Sequence, residues 1–411
     1  MPQPLSGLRV ADFSHVIAGP LATHFLRLLG AEVIKVETAA GDLMRYYGEG
    51  ADHAGRGLGV PFVGANCGKK SVVLDLKHPI GLKAARKLIA SADIVVENFR
   101  PGVMQRLGLG FGDCERLNPK LIYCSVSGYG QHGPMRDYPA IDNVVQATSG
   151  MMDVSGEEGA EPLRFGVPAV DTYAATLAAM AVVAAVAGRE RFGHGQYIDV
   201  AMMDASLVLL FGAAVPYLVA GREPEKLGNV GFSGQPTAAS FRSQDGRVVS
   251  LGIVQQYQFK RFAQIVGKDE WLNDPRFATN EARLANGPAM RSKLVALFAT
   301  APAEHWETLL SQNGIPCGLV RTVPEALDLE HVRSRDLRMK VPAQGLPCGT
   351  FEVLNAGFRF AHDGPGHSEP PPLLGAHTEE VLRSLELTDE DLEQLTTTSR
   401  EFRQAGGATS T

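Results

Sequence analysis

One acidic side chain, Asp171, stands at the start of an otherwise apolar run, FGVPAVDTYAATLAAMAVVAAV, which covers residues 165–186. An aspartate before a long apolar helix commonly accepts hydrogen bonds from the first free backbone amides, so a helix cap is one interpretation. The same amides and the helix dipole would also keep the carboxylate ionised, which is the form that acts as a nucleophile. Capping and covalent catalysis are therefore both open for Asp171, and the two roles are compatible.

A group of cations lies next to predicted strands in the first quarter of the chain. Lys69 and Lys70 precede the strand in KSVVLDL, Lys77 follows it, and Arg100 and Arg106 follow DIVVENF. Several cations on one side of a parallel sheet can bind an anionic cofactor such as a nucleotide phosphate. Each of them taken alone is more typical of a solvated surface, so both interpretations stay open.

Two polar side chains follow strands directly. Asn98 comes at the end of the strand in VVENF, and the Arg-Pro-Gly that follows places its amide at the edge of the sheet where ligands collect. His15 follows the first strand in the same way, although a histidine there could simply satisfy backbone groups. Both residues are candidates for a binding site at the carboxyl ends of the strands.

Two glycine-containing segments match nucleotide-binding loops only in part. Residues 128–133, GYGQHG, fit the pattern GxGxxG, but Pro134 and Pro139 follow where a dinucleotide site needs a helix. Residues 67–71, CGKKS, have Val63 where a phosphate loop needs glycine, and Lys70 where Ser or Thr should follow the lysine. We therefore expect no nicotinamide or flavin, and we interpret residues 128–133 as a turn.

Composition limits the classes of partner. A net charge of −6 and a pI near 6.0 provide no general attraction to nucleic acid or anionic lipid. The five cysteines form no CxxC pair and no zinc-ligand spacing, which favours reduced thiols, a cytoplasmic location and no structural metal. The N-terminus has no signal-peptide pattern. The apolar stretches 174–188 and 205–220 are shorter than the about 20 residues of a membrane span, so we predict buried helices there and no membrane partner.

The pattern of apolar residues predicts an α/β fold. Strands apolar on both faces alternate with amphipathic helices through the first 130 residues, which indicates a Rossmann-like parallel sheet covered on both sides. Asp245-Gly246 predicts a hairpin turn, and with it the start of a smaller α+β domain. The predicted boundaries are 1–205 for the first part of the large domain, 206–230 for a linker, 231–325 for the small domain and 326–411 for a return segment. The tail AGGATST is predicted to be disordered.

Many of these segments together resemble the class III CoA-transferases, the CaiB/BaiF family that includes formyl-CoA transferase. The resemblance extends over some 320 residues in a constant order, in the following segments: LSGLRVADFSHVIAGPLATHFLRLLGAEVIKVE, GDLMR, ANCGKKSVVLDLK, ADIVVENFRPGVMQRLGLG, LNPKLIYCSVSGYGQHGP, GHGQYIDVAMMDA, DPRFATNEARLAN and GIPCGLVRTVPEAL.

The resemblance implies a nucleophilic role for Asp171. In the family, the corresponding aspartate attacks an acyl-CoA thioester to form a mixed anhydride, and CoA thiolate then converts it to an aspartyl-CoA thioester. The resemblance also implies a CoA site formed by six residues, which are His15, Ala18, Leu74, Lys77, Asn98 and Arg106. CoA, supplied as acyl-CoA, and a carboxylic acid, small or dicarboxylic, are the implied substrates, with no metal or redox cofactor.

Two positions depart from the family pattern. Thr38 stands where a basic residue commonly contacts a phosphate, and Arg45 is the candidate to replace that contact. Ile17 replaces a glutamine of formyl-CoA transferase, which argues against assuming formyl or oxalyl substrates. A glycine loop that shields the intermediates in the family corresponds only poorly to residues 228–234.

The resemblance to this family leaves two alternative functions open. The family contains α-methylacyl-CoA racemases, whose second acid/base group is a histidine at the position of Ile141, and isoleucine cannot exchange a proton. A noncatalytic CoA-binding subunit of a heteromeric transferase is the other alternative, and the presence of Asp171 argues against it.

Family members form interlocked homodimers, and the resemblance implies the same here. Arg164 could pair with the second carboxylate of a dicarboxylic acid or lie on the surface.

Overall fold

A computed structural model of the chain describes residues 2–48, 51–343, 346–385 and 387–395. Two compact units are present. The larger consists of residues 1–149, 166–209 and 331–411, and the smaller of residues 150–165 and 210–330. The segment expected to be a linker carries a helix of the smaller unit, and residues 150–165 also group with that unit. The predicted tail AGGATST lies outside the described residues.

The helices and strands alternate through the first part of the chain. The strands are β1 (Arg9–Asp12), β2 (Glu32–Glu37), β3 (Lys70–Val73), β4 (Ile94–Glu97), β5 (Ile122–Ser127), β6 (Gln196–Ala201), β7 (Ser240–Arg242), β8 (Val248–Leu251), β9 (Cys317–Leu319), β10 (Arg338–Pro342) and β11 (Thr350–Leu354). The α-helices are α1 (Ala18–Leu28), α2 (Ala51–Gly55), α3 (Val60–Asn66), α4 (Pro79–Ala90), α5 (Val103–Arg106), α6 (Phe111–Leu117), α7 (Asp142–Thr148), α8 (Ala169–Phe192), α9 (Met202–Leu209), α10 (Phe211–Ala220), α11 (Gln256–Ile265), α12 (Glu270–Asn273), α13 (Asn280–Ala285), α14 (Gly287–Phe298), α15 (Ala303–Gln312), α16 (Val323–Leu327), α17 (Glu330–Ser334) and α18 (Thr378–Arg383).

The larger unit is built on a six-stranded sheet of order β3-β2-β1-β4-β5-β6, and each neighbouring pair is parallel. The predicted α/β class and parallel sheet are therefore confirmed. The strand order reverses between β1 and β4. In sheets of this kind the loops at such a reversal diverge and leave a crevice beyond the carboxyl ends of the strands, where ligands bind.

Alternation along β1 and β2 sends apolar and charged side chains to opposite faces of the sheet. Ala11, Ile34 and Val36 belong to an apolar core with residues of α4, α6 and α18. Asp12 and Lys35, one residue away from them, are also fully buried, but on the other face. Because a buried charge needs a partner, these positions require ion pairs within the unit.

The smaller unit contains the antiparallel sheet β7-β8-β9 and its own apolar core. The hairpin predicted at Asp245-Gly246 joins β7 to β8, and Gly246 has the positive φ of 80° that this turn needs. A second antiparallel pair, β10-β11, belongs to the larger unit and was not predicted from the sequence.

The prediction of one buried helix over 205–220 was wrong. Leu210 separates α9 from α10, and α10 has no buried residue. Its apolar side chains, such as Leu218 and Val219, are about four-fifths exposed in the single chain. Among the described helices, α8 alone has the length and hydropathy of a membrane span, and α9 with α10 would qualify only as one broken span. The α8 helix packs against α1, β5 and β6.

Candidate active site

His15 and Asn98 meet at the point where the strand order reverses. The Asn98 side chain accepts a hydrogen bond from the His15 backbone N–H at 2.8 Å and donates one to the His15 carbonyl at 2.7 Å. The His15 ring contacts Phe99, and burial lowers the pKa of the imidazole. The loops after β1 and β4 are thus joined at the crevice, which fits the site predicted for these two residues.

The loop after β1 has a strained backbone. Val16 has a φ of 70°, a region that a β-branched residue rarely adopts. Both carboxylate oxygens of Asp42 accept from the Val16 N–H at 3.2 Å, and Lys35 pairs with Asp42 at 3.0 Å. A Cβ at Gly19 would lie 2.3 Å from the Ser14 Cβ, so α1 can approach this loop only with glycine there.

Lys69 is not available to bind an anionic ligand, contrary to one interpretation of the sequence. Its ammonium is fully buried and contacts Asp12, Thr23, Asn66 and the Pro20 carbonyl at 2.7–3.0 Å. Burial lowers the pKa of the Lys69 ammonium to about 8, and Asp12 acts in the opposite direction. Lys69 therefore holds β1, α1 and α3 together below the crevice.

Arg45 does not replace the basic residue missing at Thr38. The guanidinium is fully buried, makes two hydrogen bonds of 2.6 and 2.7 Å to Glu37, and lies over the Phe62 ring at 3.8 Å. Lys70 likewise pairs with carboxylates, those of Glu32 and Glu380. The phosphate-binding interpretation that the sequence left open for Lys69, Lys70 and Arg45 is therefore wrong, because the structure has ion pairs at these positions.

The remaining predicted CoA residues lie in the same unit. Ala18 begins α1 and is buried, and Leu74 is 1% exposed, so its side chain belongs to the core and only its backbone borders the strand end. Lys77 and Arg106 are exposed in the segments after β3 and β4. The α1 helix, which begins at Ala18, packs against α8, the helix that carries Asp171.

Asp171 is the third residue of α8 and does not cap it. The N-cap residue is Pro168, and the Asp142 carboxylate accepts hydrogen bonds from the Val170 and Asp171 backbone N–H groups at 2.9 and 3.1 Å. The cap interpretation for Asp171 was therefore wrong, because Asp142 supplies the acceptor from a distant part of the sequence. Within the described residues no hydrogen bond reaches the partly exposed Asp171 carboxylate.

The electrostatic environment raises the pKa of Asp171 to about 7, first through burial and then through the charge of Asp142. The expectation that the N-terminus of α8 keeps this carboxylate ionised was wrong, because burial and the charge of Asp142 outweigh the effect of the helix N-terminus. Near neutral pH the group is divided between its acid and its carboxylate. A carboxylate with a raised pKa is a better nucleophile once it is ionised.

Replacing Asp142 by Asn tests this coupling. The variant keeps an oxygen to cap α8 but loses the charge, so we expect the pH at which kcat/KM reaches half its plateau to move downward from about 7. The measurement is a pH profile of kcat/KM for CoA transfer. Asp137→Asn removes an exposed carboxylate of the preceding loop and should leave the midpoint unchanged. An unchanged midpoint in Asp142→Asn would contradict the coupling.

Other segments singled out from the sequence have structural roles. Residues 128–133 form bends, turns follow at residues 134–137, and the next helix, α7, begins only at Asp142. Residues 228–234 also contain turns, within the smaller unit. A cavity of about 400 Å³ beside Glu32 and Lys70 lies at the amino ends of β2 and β3, opposite the crevice. We assign no ligand to that cavity.

Three features of the site were not recognised from the sequence. They are the cap supplied by Asp142, the strained Val16 and the buried network around Asp12, Lys35 and Lys69. A signal existed for the network, since charged residues in AEVIKVE alternate with apolar ones in a strand that must be buried on both faces.

Comparisons of the sequence and the fold with known proteins all point to one protein family. The family model described as CoA-transferase family III matches residues 5–378. A succinate–glutarate CoA-transferase of Agrobacterium fabrum is 34% identical over 393 residues, which cover 93% of this chain and 96% of that protein. An acetyl-CoA:oxalate CoA-transferase of Acetobacter aceti is 35% identical and covers 88% of this chain and 92% of its own length. The crystal structure of a CaiB/BaiF family protein from Brucella suis matches with a TM-score of 0.82 and 30% identity, over 94% of this chain and 100% of that one.

Proposed function

Because this chain belongs to CoA-transferase family III, we propose that it moves CoA from an acyl-CoA thioester to a carboxylic acid by covalent catalysis at Asp171. The observation that carries this proposal is the state of the Asp171 carboxyl. It is partly exposed at the start of α8 and has a pKa near neutrality. Such a group is free to attack a bound acyl carbon.

The proposed reaction has four steps. The Asp171 carboxylate attacks the thioester carbonyl, the C–S bond breaks, and CoA leaves as its thiolate from the mixed anhydride. The thiolate attacks the aspartyl carbonyl and expels the donor carboxylate, which leaves an aspartyl-CoA thioester. The acceptor carboxylate displaces CoA to form a second anhydride. Finally the thiolate attacks the acceptor carbonyl, which releases the new acyl-CoA and the Asp171 carboxylate.

The other proposed roles concern CoA binding. We propose that His15 and Asn98, which are hydrogen-bonded to each other, contact CoA together with Ala18 at the start of α1 and Leu74 after β3. Lys77 and Arg106 are exposed cations beyond β3 and β4, where phosphates of CoA can reach them. The buried pairs of Lys69 and Arg45 hold the strands beneath.

The covalent intermediate can be tested directly. Wild-type protein incubated with succinyl-CoA should gain the mass of CoA less one water, because the aspartyl-CoA thioester retains CoA without the succinyl group. Hydroxylamine should remove the adduct and leave a hydroxamate on the peptide that contains Asp171. Intact and peptide mass spectrometry provide the measurement.

The matched control is Asp171→Asn, which cannot form the thioester and should remain at its own mass. An adduct of equal yield on both proteins would overturn the assignment of the nucleophile. An adduct on neither protein, together with CoA transfer by the wild type, would exclude the covalent route.

We propose small or dicarboxylic acids as acceptors. The named relatives act on succinate and glutarate or on oxalate, which supports this class without identifying one acid. Mass-spectrometric screening of CoA donors against a panel of mono- and dicarboxylic acids would identify the pair.

An α-methylacyl-CoA racemase and a noncatalytic CoA-binding subunit are the alternatives. Ile141 is an exposed, non-titratable residue just before α7, which supports transfer over racemisation. Exchange of the α-proton of a 2-methylacyl-CoA in deuterated water, without CoA transfer, would favour the racemase.

A homodimer in the cytoplasm completes the proposal. The exposed apolar side chains of α10, including Phe211 and Leu218, support burial against a second copy of the chain. The five free cysteines support a reducing compartment. Sedimentation of the purified protein would measure the assembly.

A further inference from the structure

Two arginines converge over Gly102, in the segment that follows β4. A Cβ built on Gly102 would lie 3.0 Å from Nη1 of Arg106 and 3.5 Å from Nη2 of Arg136, so both guanidinium groups approach the same point. Arg106 ends α5, whereas Arg136 comes from the segment after β5. Two neighbouring strand ends of the sheet thus each supply one cation to this place.

Carboxylates of the described residues neutralise the positive charges of Arg106 and Arg136 only weakly. Among the described residues, the carboxylate within 4.0 Å of the Arg136 guanidinium is that of Asp137, at 3.7 Å, and the two side chains are 44% and 81% exposed. No carboxylate lies within 4.0 Å of Arg106 among the residues that the structure describes. Convergence of like charges is unfavourable unless an anion joins them, and a phosphate accepts hydrogen bonds from two guanidinium groups at once.

A cavity of about 450 Å³, a volume typical of small-molecule sites, adjoins Arg136 and Gly102. Gly102 and Arg136 line it together with the rings of Phe111 and Tyr197, whose centroids are 5.1 Å apart. Its acid, Asp113, is paired with Arg116. The lining therefore combines aromatic surface, on which a purine can stack, with the guanidinium of Arg136, whose contact with Asp137 is a long one.

The resemblance to the family also implied a phosphate contact at position 38 that this chain does not provide. Thr38 carries no charge, and the guanidinium of Arg45 is fully buried against Glu37. An acyl-CoA substrate has three phosphate groups at its nucleotide end, which need cations at some other place on the protein.

We propose that Arg136, together with Arg106, forms a cradle for a phosphate of the nucleotide end of CoA, with the adenine in the adjoining cavity. The proposal rests on the proposed function for the identity of the ligand and adds Arg136 as a binding residue. The phosphate is either the 3′-phosphate or the diphosphate, and both present the same chemistry to the cradle.

The test is calorimetric titration of wild type, Arg136→Met and Arg106→Met with CoA, 3′-dephospho-CoA and adenosine 3′,5′-bisphosphate. Each arginine variant should bind CoA about ten- to a hundredfold more weakly than the wild type, the loss expected for a hydrogen bond to a charged group. If the cradle holds the 3′-phosphate, Arg136→Met and wild type will bind dephospho-CoA equally. If it holds the diphosphate, the variant will bind dephospho-CoA more weakly too.

Arg383→Met serves as the matched control, because it removes an exposed arginine of α18 and should bind CoA like wild type. In transfer assays Arg136→Met should raise the KM for acyl-CoA and leave kcat unchanged at saturation, while its thermal midpoint stays at the wild-type value. Arg136→Lys should recover part of the affinity.

The outcomes separate the two proposals. Wild-type CoA affinity in Arg136→Met, with active CoA transfer, overturns the cradle and leaves the proposed function intact. Arg136-dependent binding of the bisphosphate by a protein that does not transfer CoA supports the cradle and overturns the proposed function. Failure of the wild type to bind CoA or the bisphosphate overturns both.

Discussion

Asp171→Asn is expected to lower the rate of CoA transfer by about a thousandfold or more, the scale of losing a covalent nucleophile. The same substitution should stabilise the fold above neutral pH. Both effects have one cause, because the position that exposes the carboxyl to substrate also buries it beside Asp142 and raises its pKa to about 7.

The direction of the pH effect follows from proton linkage. An unfolded chain ionises Asp171 near its ordinary pKa, whereas the folded chain retains the proton up to about pH 7. Between these values the folded state binds more protons, so the free energy of unfolding falls as the pH rises through this window. Above pH 7 the wild type carries a buried carboxylate that the asparagine variant lacks. Since the side chain is partly exposed, solvent screening limits the gain in the variant to about 1–2 kcal/mol.

Thermal unfolding at pH 4, 6 and 8 measures the stability effect, and steady-state transfer measures the activity. The difference in midpoint between Asp171→Asn and wild type should be near zero at pH 4 and favour the variant at pH 8. In thermal unfolding, Asp137→Asn, which removes an exposed carboxylate, should match wild type at all three pH values. A variant less stable than wild type at pH 8 would show that the carboxylate has a structural role that we have not identified.

The sequence was sufficient to predict the parallel sheet and the placement of His15 and Asn98 at the edge formed by the carboxyl ends of the strands. Both follow from local rules, because strands apolar on both faces must be covered by helices and residues after parallel strands gather at one edge. The hydrogen bonds between His15 and Asn98 are the three-dimensional result.

The charged residues were predicted less well, because the fate of a charge depends on partners far away in the sequence. Lys69 and Arg45 resemble solvated or phosphate-binding cations until Asp12 and Glu37 are brought beside them by the sheet. Asp171 resembles a cap for the same reason, since the true acceptor, Asp142, lies 29 residues earlier. Arg136 was likewise overlooked, because only the fold brings it over Gly102 beside Arg106.

The wrong prediction that α10 is buried has a similar explanation. Sequence hydropathy predicted that α10 is buried, and it is exposed in the isolated chain. Hydropathy indicates that a segment is buried, but it does not indicate whether the residues that bury it belong to the same chain. A dimer, which we propose, is the arrangement that would reconcile the two.

Lys69→Met is the second substitution with a large expected effect, in this case on stability. It leaves the fully buried Asp12 carboxylate without its nearest cation and removes four hydrogen bonds to β1, α1 and α3. Breaking a buried ion pair by removing one partner typically costs about 3–5 kcal/mol. Urea unfolding at pH 7.5 should show a loss of this size. The KM for acyl-CoA should rise, because Asp12 also accepts two hydrogen bonds from Ser14, which precedes His15 and Val16 in the same loop.

Lys70→Met is the matched control for this substitution. Its ammonium is one residue away and also pairs with acids, but these pairs are partly exposed, so the expected loss is below about 1 kcal/mol. Adding Asp12→Asn to Lys69→Met should restore part of the stability, since the uncompensated charge is then removed. If Lys69→Met and Lys70→Met were equally mild, the buried network would not be a determinant of the fold.

The pH dependence of Lys69→Met provides an independent check on the mechanism. In the wild type, burial by itself would raise the pKa of Asp12, but Lys69 and Lys35 outweigh it and hold that pKa below its ordinary value. The ion pair of Asp12 with Lys69 therefore stabilises the fold at pH values above the pKa of Asp12 in the unfolded chain. This contribution is lost as the pH falls through the pKa of Asp12 in the folded chain. Without Lys69 the burial of Asp12 is no longer compensated by its nearest cation, so the variant should lose most stability relative to wild type at neutral pH. The difference should narrow in acid, where Asp12 is protonated in the variant, and a difference independent of pH would instead assign the loss to packing.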